Sequence, residues 1–127
     1  MCCDDRGMVP RVLIVDDHEA FRSLARRVLE ADGFAVVGEV ADGAAAIEAV
    51  PRLRPDVVLL DVQLPDMDGF AVTDVLFAQG AAPAVVLVSS RSRSDYGTLV
   101  DASGAVGFLA KSALSGDLVR GLLAGGT

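Results

Sequence analysis

The chain has 127 residues, 52% hydrophobic and 23% charged, which suits one globular domain with its own core and excludes a disordered chain. A formal charge of −7 and a pI near 4.5 exclude a basic nucleic-acid-binding face or an anionic membrane surface as partner. No apolar run approaches the ~20 residues needed to span a bilayer, and the acidic start Met1-Cys2-Cys3-Asp4-Asp5 is unlike a signal peptide, so the expected compartment is cytoplasmic.

Residues 1–10 read as a disordered tail ending at Pro10, with the adjacent Cys2 and Cys3 as reduced thiols rather than a disulfide framework or metal site. The run Arg11-Val12-Leu13-Ile14-Val15 then has the length and β-branched character of a strand and leads into Asp16-Asp17. From residue 18 to about 32, Phe21, Leu24, Ala25, Val28 and Leu29 recur at spacings of three and four, which predicts an amphipathic helix stopped by Gly33. A second strand is expected over 34–40. An Ala-rich helix is expected over 44–53, ended or kinked by Pro51.

Residues 56–61 predict a third strand, followed by a turn at 65–69 and a helix over 70–78. A fourth strand is expected over 84–89. Residues 92–103 are expected to be helical, although Gly97 weakens that helix by ~1 kcal/mol relative to Ala. A fifth strand over 106–110 and a helix over 114–123 capped by Ser115 complete the pattern, so the domain is expected over 11–124, with 125–127 a tail or truncated linker. Five alternating strand–helix pairs, with strands apolar along their whole length, predict an α/β fold: a parallel sheet covered by helices on both faces.

In such a sheet all strand C-termini share one edge, and ligands bind there. The first strand ends in Asp16-Asp17, the third in Asp61, the fourth in Ser89-Ser90 and the fifth in Lys111-Ser112. Carboxylates gathered in one cleft repel by ~1–4 kcal/mol per pair at ~4 Å, a cost that a divalent cation removes. Carboxylate oxygens suit Mg²⁺, which retains waters and binds phosphate. A carboxylate beside Mg²⁺ can attack phosphorus to form an acyl phosphate. Ser89 offers the phosphoryl oxygens a hydroxyl, and Lys111, the only lysine, offers a point charge.

The stretches VLIVDDHEAFR, DVVLLDVQLPDMDGF, VVLVSS and GAVGFLAKSAL, in this order, resemble the receiver domain of two-component response regulators, in wording closest to receivers of the NarL/LuxR type. The resemblance runs from about Arg11 to Leu123. It implies a flavodoxin-like doubly wound sheet of order 2-1-3-4-5 and a cytoplasmic signalling switch rather than a turnover enzyme. It makes Asp61 the phosphoacceptor, charged by a sensor histidine kinase. Asp16 and Asp17 become the acidic pair that holds Mg²⁺ with Asp61 and a backbone carbonyl, expected at Val62 and less so at Gln63. Ser89 becomes the switch hydroxyl, Phe108 the switch aromatic and Lys111 the phosphate-binding lysine. Gln63 and Arg91 occupy the positions that govern water access and phosphoryl lifetime. The 92–124 face is the expected contact for a second copy or an effector.

Plainer readings stand beside these. Asp17 can be the N-cap of the first helix, and His18 is expected to be a solvent-facing first-turn residue. Asp66 and Asp68 are expected to shape a turn. Phe108 can be a core aromatic and Arg91 a solvated loop residue. Ser112 follows the lysine where the family often has Pro, which leaves the isomer of that bond open. The alternative function is a Mg²⁺-dependent phosphohydrolase with an aspartyl nucleophile. Gln63 stands where the haloacid-dehalogenase group needs a second Asp. A nucleotide-binding module would need a Gly-rich loop in place of Asp17-His18-Glu19-Ala20. Ser-His-Asp hydrolysis would depend on His18, the only histidine, without a G-x-S-x-G elbow.

Overall fold

A computed structural model describes residues 9–81 and 83–125. The expectations for residues 1–8, including Cys2 and Cys3, and for 126–127 lie outside the described residues. The elements alternate as expected: β1 (Arg11–Val15), α1 (Glu19–Ala31), β2 (Ala35–Val40), α2 (Gly43–Leu53), β3 (Val57–Asp61), α3 (Gly69–Ala78), β4 (Ala84–Ser89), α4 (Leu99–Ala102), β5 (Gly107–Ala110) and α5 (Gly116–Gly125). All strand pairs are parallel, and the sheet order is β2-β1-β3-β4-β5. No helix among the described residues is long and apolar enough to cross a membrane.

Strand alternation splits the core in two. Leu13, Val15, Val58, Leu60, Val85 and Leu87 face α2 and α3, where Ala46, Ala49, Val50, Val72 and Leu76 meet them. Val12, Ile14, Val57, Leu59, Val86 and Val88 face the other way, onto Ala25 and Leu29 of α1 and Val119 of α5. Every residue of β3 is buried. Each leucine so enclosed contributes about 1.5–3 kcal/mol of transfer free energy. Both faces being dry explains why these strands read as continuous apolar runs.

The helix ends follow local chemistry. Asp42 and Asp68 cap α2 and α3 by accepting N–H bonds from Ala45 and Ala71, each at 2.8 Å. Ser115 accepts from Leu118 N at 3.1 Å, the expected cap of α5. Pro51 lies inside α2 without breaking it at once; the helix ends three residues on, at Arg54, in the left-handed region at φ 51°. Asp17 is not the cap of α1. That position is His18, and its side chain makes no cap bond.

The main departure from expectation is at 92–103. Instead of one helix there is a 3₁₀ turn, Arg93–Tyr96, and then the single turn of α4. Gly97 separates them at φ 59° and ψ −128°, a conformation that breaks an α-helix and that glycine adopts without strain. A Ser92–Asp95 capping box closes the 3₁₀ turn from the other side. No cis peptide bond occurs among the described residues, so the Lys111–Ser112 bond is trans, and Lys111–Ala113 forms a second 3₁₀ turn.

Candidate functional site

The apolar pattern of β1 and β3 fixes where the acids emerge. Both strands are buried to their last residue, so Asp16 and Asp61 leave the core at its rim, 0% and 2% exposed. Asp17 beside them is exposed. Lys111, directly after β5, reaches across the edge: its Nζ lies 2.5 Å from Asp16 Oδ2 and 3.2 Å from Asp61 Oδ2. The ammonium also sits 4.7 Å from the centre of the Phe21 ring, a cation–π contact. Phe21 was legible only as part of the apolar stripe of α1; here it is the floor that aims the lysine.

The electrostatics are those of a cleft with too few cations. Burial raises the Asp61 pKa, the neighbouring Asp16 raises it further, and the Gln63 N–H and Lys111 oppose the rise. For Lys111, burial lowers the pKa, but the close contact with Asp16 and the charges of Asp61 and Asp16 outweigh it, and the net direction is up. Ligand atoms of Asp16, Asp17, His18 and Asp61 all lie within 4.8 Å of one another. Asp16 Oδ2 is buried and has no aligned hydrogen bond, only the charge contact with Lys111. A carboxylate-rich donor set with one oxygen so placed fits a Mg²⁺ ion.

His18 is 67% exposed at the side chain, as expected of a first-turn residue, yet its Nδ1 turns back to Asp16 Oδ1 at 3.0 Å and Asp17 Oδ1 at 3.1 Å. The Val62 carbonyl, the expected backbone ligand, accepts the Gly69 N–H at 2.7 Å, and Val62 itself is buried. Gln63 is exposed and donates its N–H to Asp61 Oδ1 at 3.1 Å, which places its peptide beside the acids. Gly69 is required at this return. A Cβ there would lie 2.7 Å from the Asp61 carbonyl oxygen. Asp66 anchors the same loop by accepting from Gly43 N at 2.8 Å and Ala44 N at 2.9 Å, bonds that lower its pKa.

Ser89 ends β4 next to the Asp61 strand end and is fully buried. Its Oγ accepts the Arg91 N–H at 3.0 Å and lies 2.7 Å from the Tyr96 hydroxyl. Tyr96 in turn packs between Phe70, at 5.7 Å between ring centres, and Phe108, at 5.8 Å. Phe108 is half-buried against the α2–α3 core. The structure therefore joins Asp16, Asp17, Asp61 and Lys111 in one cluster and Ser89 with Phe108, through Tyr96, in an adjoining one. Arg91 is exposed and touches the site through its backbone. Tyr96 carried no signal in the sequence, because the helix expected around it does not form.

Comparison with known proteins agrees with this fold. Residues 12–122 match the response regulator receiver domain family. Protein-glutamate methylesterase/protein-glutamine glutaminase 6 of Anaeromyxobacter dehalogenans is 41% identical over 112 residues, covering 87% of this chain and 32% of that protein. The chain thus spans about a third of the length of that relative. Among solved structures, the signal receiver domain of the response regulator NarL from Mycobacterium tuberculosis superposes with a TM-score of 0.82 at 35% identity, covering 92% of this chain and 95% of that one. A chain of the CheX–CheY complex with beryllofluoride and Mg²⁺ from Borrelia burgdorferi gives 0.81 at 25% identity, with coverages of 94% and 90%.

Proposed function

This chain belongs to the response regulator receiver domain family, and from that premise we propose that it is a phosphorylation-dependent switch whose phosphoacceptor is Asp61. The observation that supports this most is the position of Lys111, whose single ammonium bridges Asp16 and Asp61 at the carboxyl edge of the sheet. A carboxylate oxygen of Asp61 attacks the phosphorus of a phosphohistidine on a sensor kinase. The new O–P bond forms as the donor's N–P bond breaks, and the imidazole leaves with the bonding electrons. Lys111 then follows the charge, moving its contact from the Asp61 carboxylate to a phosphoryl oxygen, and the Ser89 hydroxyl donates to another.

Asp16, Asp17, Asp61 and the Gln63 carbonyl would hold Mg²⁺, which when bound supplies positive charge against the phosphoryl oxygens. The domain spans residues 11–124, and the protein acts in the cytoplasm by changing partners rather than by turning over substrate. Its partners are the kinase and either an effector or a second copy at the 92–124 face.

That face is poorly stabilised in the structure, with one 3₁₀ turn and one turn of α4 where a full helix was expected. Beryllofluoride, a phosphoryl mimic, should therefore bind one to one only when Mg²⁺ is present and alter hydrogen exchange across residues 92–112. Binding without Mg²⁺, or unchanged exchange there, would count against the reading.

Lifetime gives a second test. The Arg91 N–H bond to Ser89 fixes the backbone from which an exposed cationic side chain can reach a phosphoryl group, whereas the Arg93 guanidinium is tied to Asp101 on the far side of the turn. Arg91→Ala should change the dephosphorylation rate measurably and Arg93→Ala should not. Equal effects of the two would remove Arg91 from the site.

A further inference from the structure

The geometry points to Tyr96 as a positioning residue whose hydroxyl holds the Ser89 proton away from Asp61 until a phosphoryl group competes for it. The inference rests on the phosphoacceptor reading and extends it to a residue that reading does not use.

The direction of the Ser89–Tyr96 bond carries the argument. Ser89 is 0% exposed, so its O–H must find an acceptor within the protein or remain unpaired. Its Oγ already accepts the Arg91 N–H. Among the described residues, the oxygen within its reach is that of Tyr96, at 2.7 Å. Tyr96 is only half-buried, and its own proton can face water. Ser89 is therefore the donor and Tyr96 the acceptor.

Local contacts place Tyr96 there. The Ser92–Asp95 capping box fixes the 3₁₀ turn that carries it, Gly97 ends that turn, and Phe70 and Phe108 grip the ring. A hydroxyl 2.7 Å from Ser89 Oγ is a standing competitor for the one proton that Ser89 can donate. When the phosphoryl oxygens take that proton, Tyr96 loses its partner, and the Phe70–Tyr96–Phe108 stack loses the bond tying it to β4. The charge change at Asp61 thus reaches the 93–102 surface through a single hydrogen bond.

The competition has a sign. A bond that must break before the loaded state forms stabilises the free state and weakens binding of the phosphoryl group by its own net worth. Tyr96→Phe keeps the ring and deletes the acceptor. It should tighten beryllofluoride binding, measured by calorimetric titration in Mg²⁺, by about two- to tenfold, the range of one neutral hydrogen bond. A ring that serves packing alone would leave affinity unchanged or weaken it.

Tyr96 is also the only tyrosine in a chain without tryptophan, so near-ultraviolet absorption reads it directly. Adding the mimic to the wild type should shift the tyrosine band, and Ser89→Ala without the mimic should shift it in the same direction. Equal or weaker mimic affinity of Tyr96→Phe, or no tyrosine shift on binding, overturns the role of Tyr96 while the phosphoacceptor reading stands. Failure of the wild type to bind the mimic at all overturns both.

Discussion

Asp61→Asn should reduce phosphoryl incorporation from acetyl phosphate to background, a loss of three orders of magnitude or more, since an amide oxygen replaces the attacking carboxylate. Intact-mass spectrometry with Mg²⁺ present should show one added phosphoryl group on the wild type and none on the variant. Equal labelling of both would move the phosphoacceptor to another residue.

The same substitution should stabilise the fold. Asp61 has a raised pKa, first because it is buried and then because Asp16 is close, so its ionised form is less favourable in the folded chain than in the unfolded one. A folded pKa above the unfolded value means that ionisation costs stability at neutral pH. That cost disappears as the pH falls below the unfolded carboxylate value of about 3.9. Removing the charge should raise the melting temperature at pH 7 by about 2–5 °C, and the advantage should shrink towards about pH 4. A lower melting temperature for the variant would show that the Lys111 contact outweighs the burial cost.

Lys111 should be the least replaceable cation in the molecule. Its raised pKa means that the charged form adds stability, present below the unfolded value of about 10.4 and lost as pH rises through the higher folded value. At pH 7 the ammonium is fully engaged. Lys111→Ala would leave Asp16 and Asp61 buried without their shared cation and should cost about 3–5 kcal/mol in denaturant unfolding at pH 7. Lys111→Arg should fold but not switch. A planar fork cannot take the place of a compact ammonium that meets Asp16 Oδ2 and Asp61 Oδ2 at once while resting on Phe21. Its hydrogen exchange over 92–112 should stay unchanged when beryllofluoride and Mg²⁺ are added.

Because Lys111 is the only lysine, an amine-reactive reagent can modify just this residue and the N-terminal amine. The mimic should slow modification of Lys111 and leave the N-terminus unaffected. An unchanged rate at Lys111, or a functional Lys111→Arg variant, would make it a surface charge without a phosphate-pairing role.

Strand length, β-branched character and the polar residues closing four of the five strands were all readable along the chain, because each depends on neighbours a few residues away. Those local signals were enough to place Asp16, Asp17, Asp61, Ser89 and Lys111 on one sheet edge. The 92–103 segment departs from the expected helix because Gly97 interrupts its helical propensity, and a single turn that buries only Val100 has little tertiary packing to settle the contest in its favour. The return of the Gly69 N–H onto the Val62 carbonyl was likewise invisible along the chain, since it depends on how the loop after β3 folds back. Phe21 beneath Lys111 and Tyr96 against Ser89 are of the same kind. A side chain's type and period say that it is apolar or aromatic, but which polar group it meets depends on where strands distant in the chain are laid side by side. Lys111 meets Asp61 across 50 residues of sequence only because β3, β4 and β5 pair in that order.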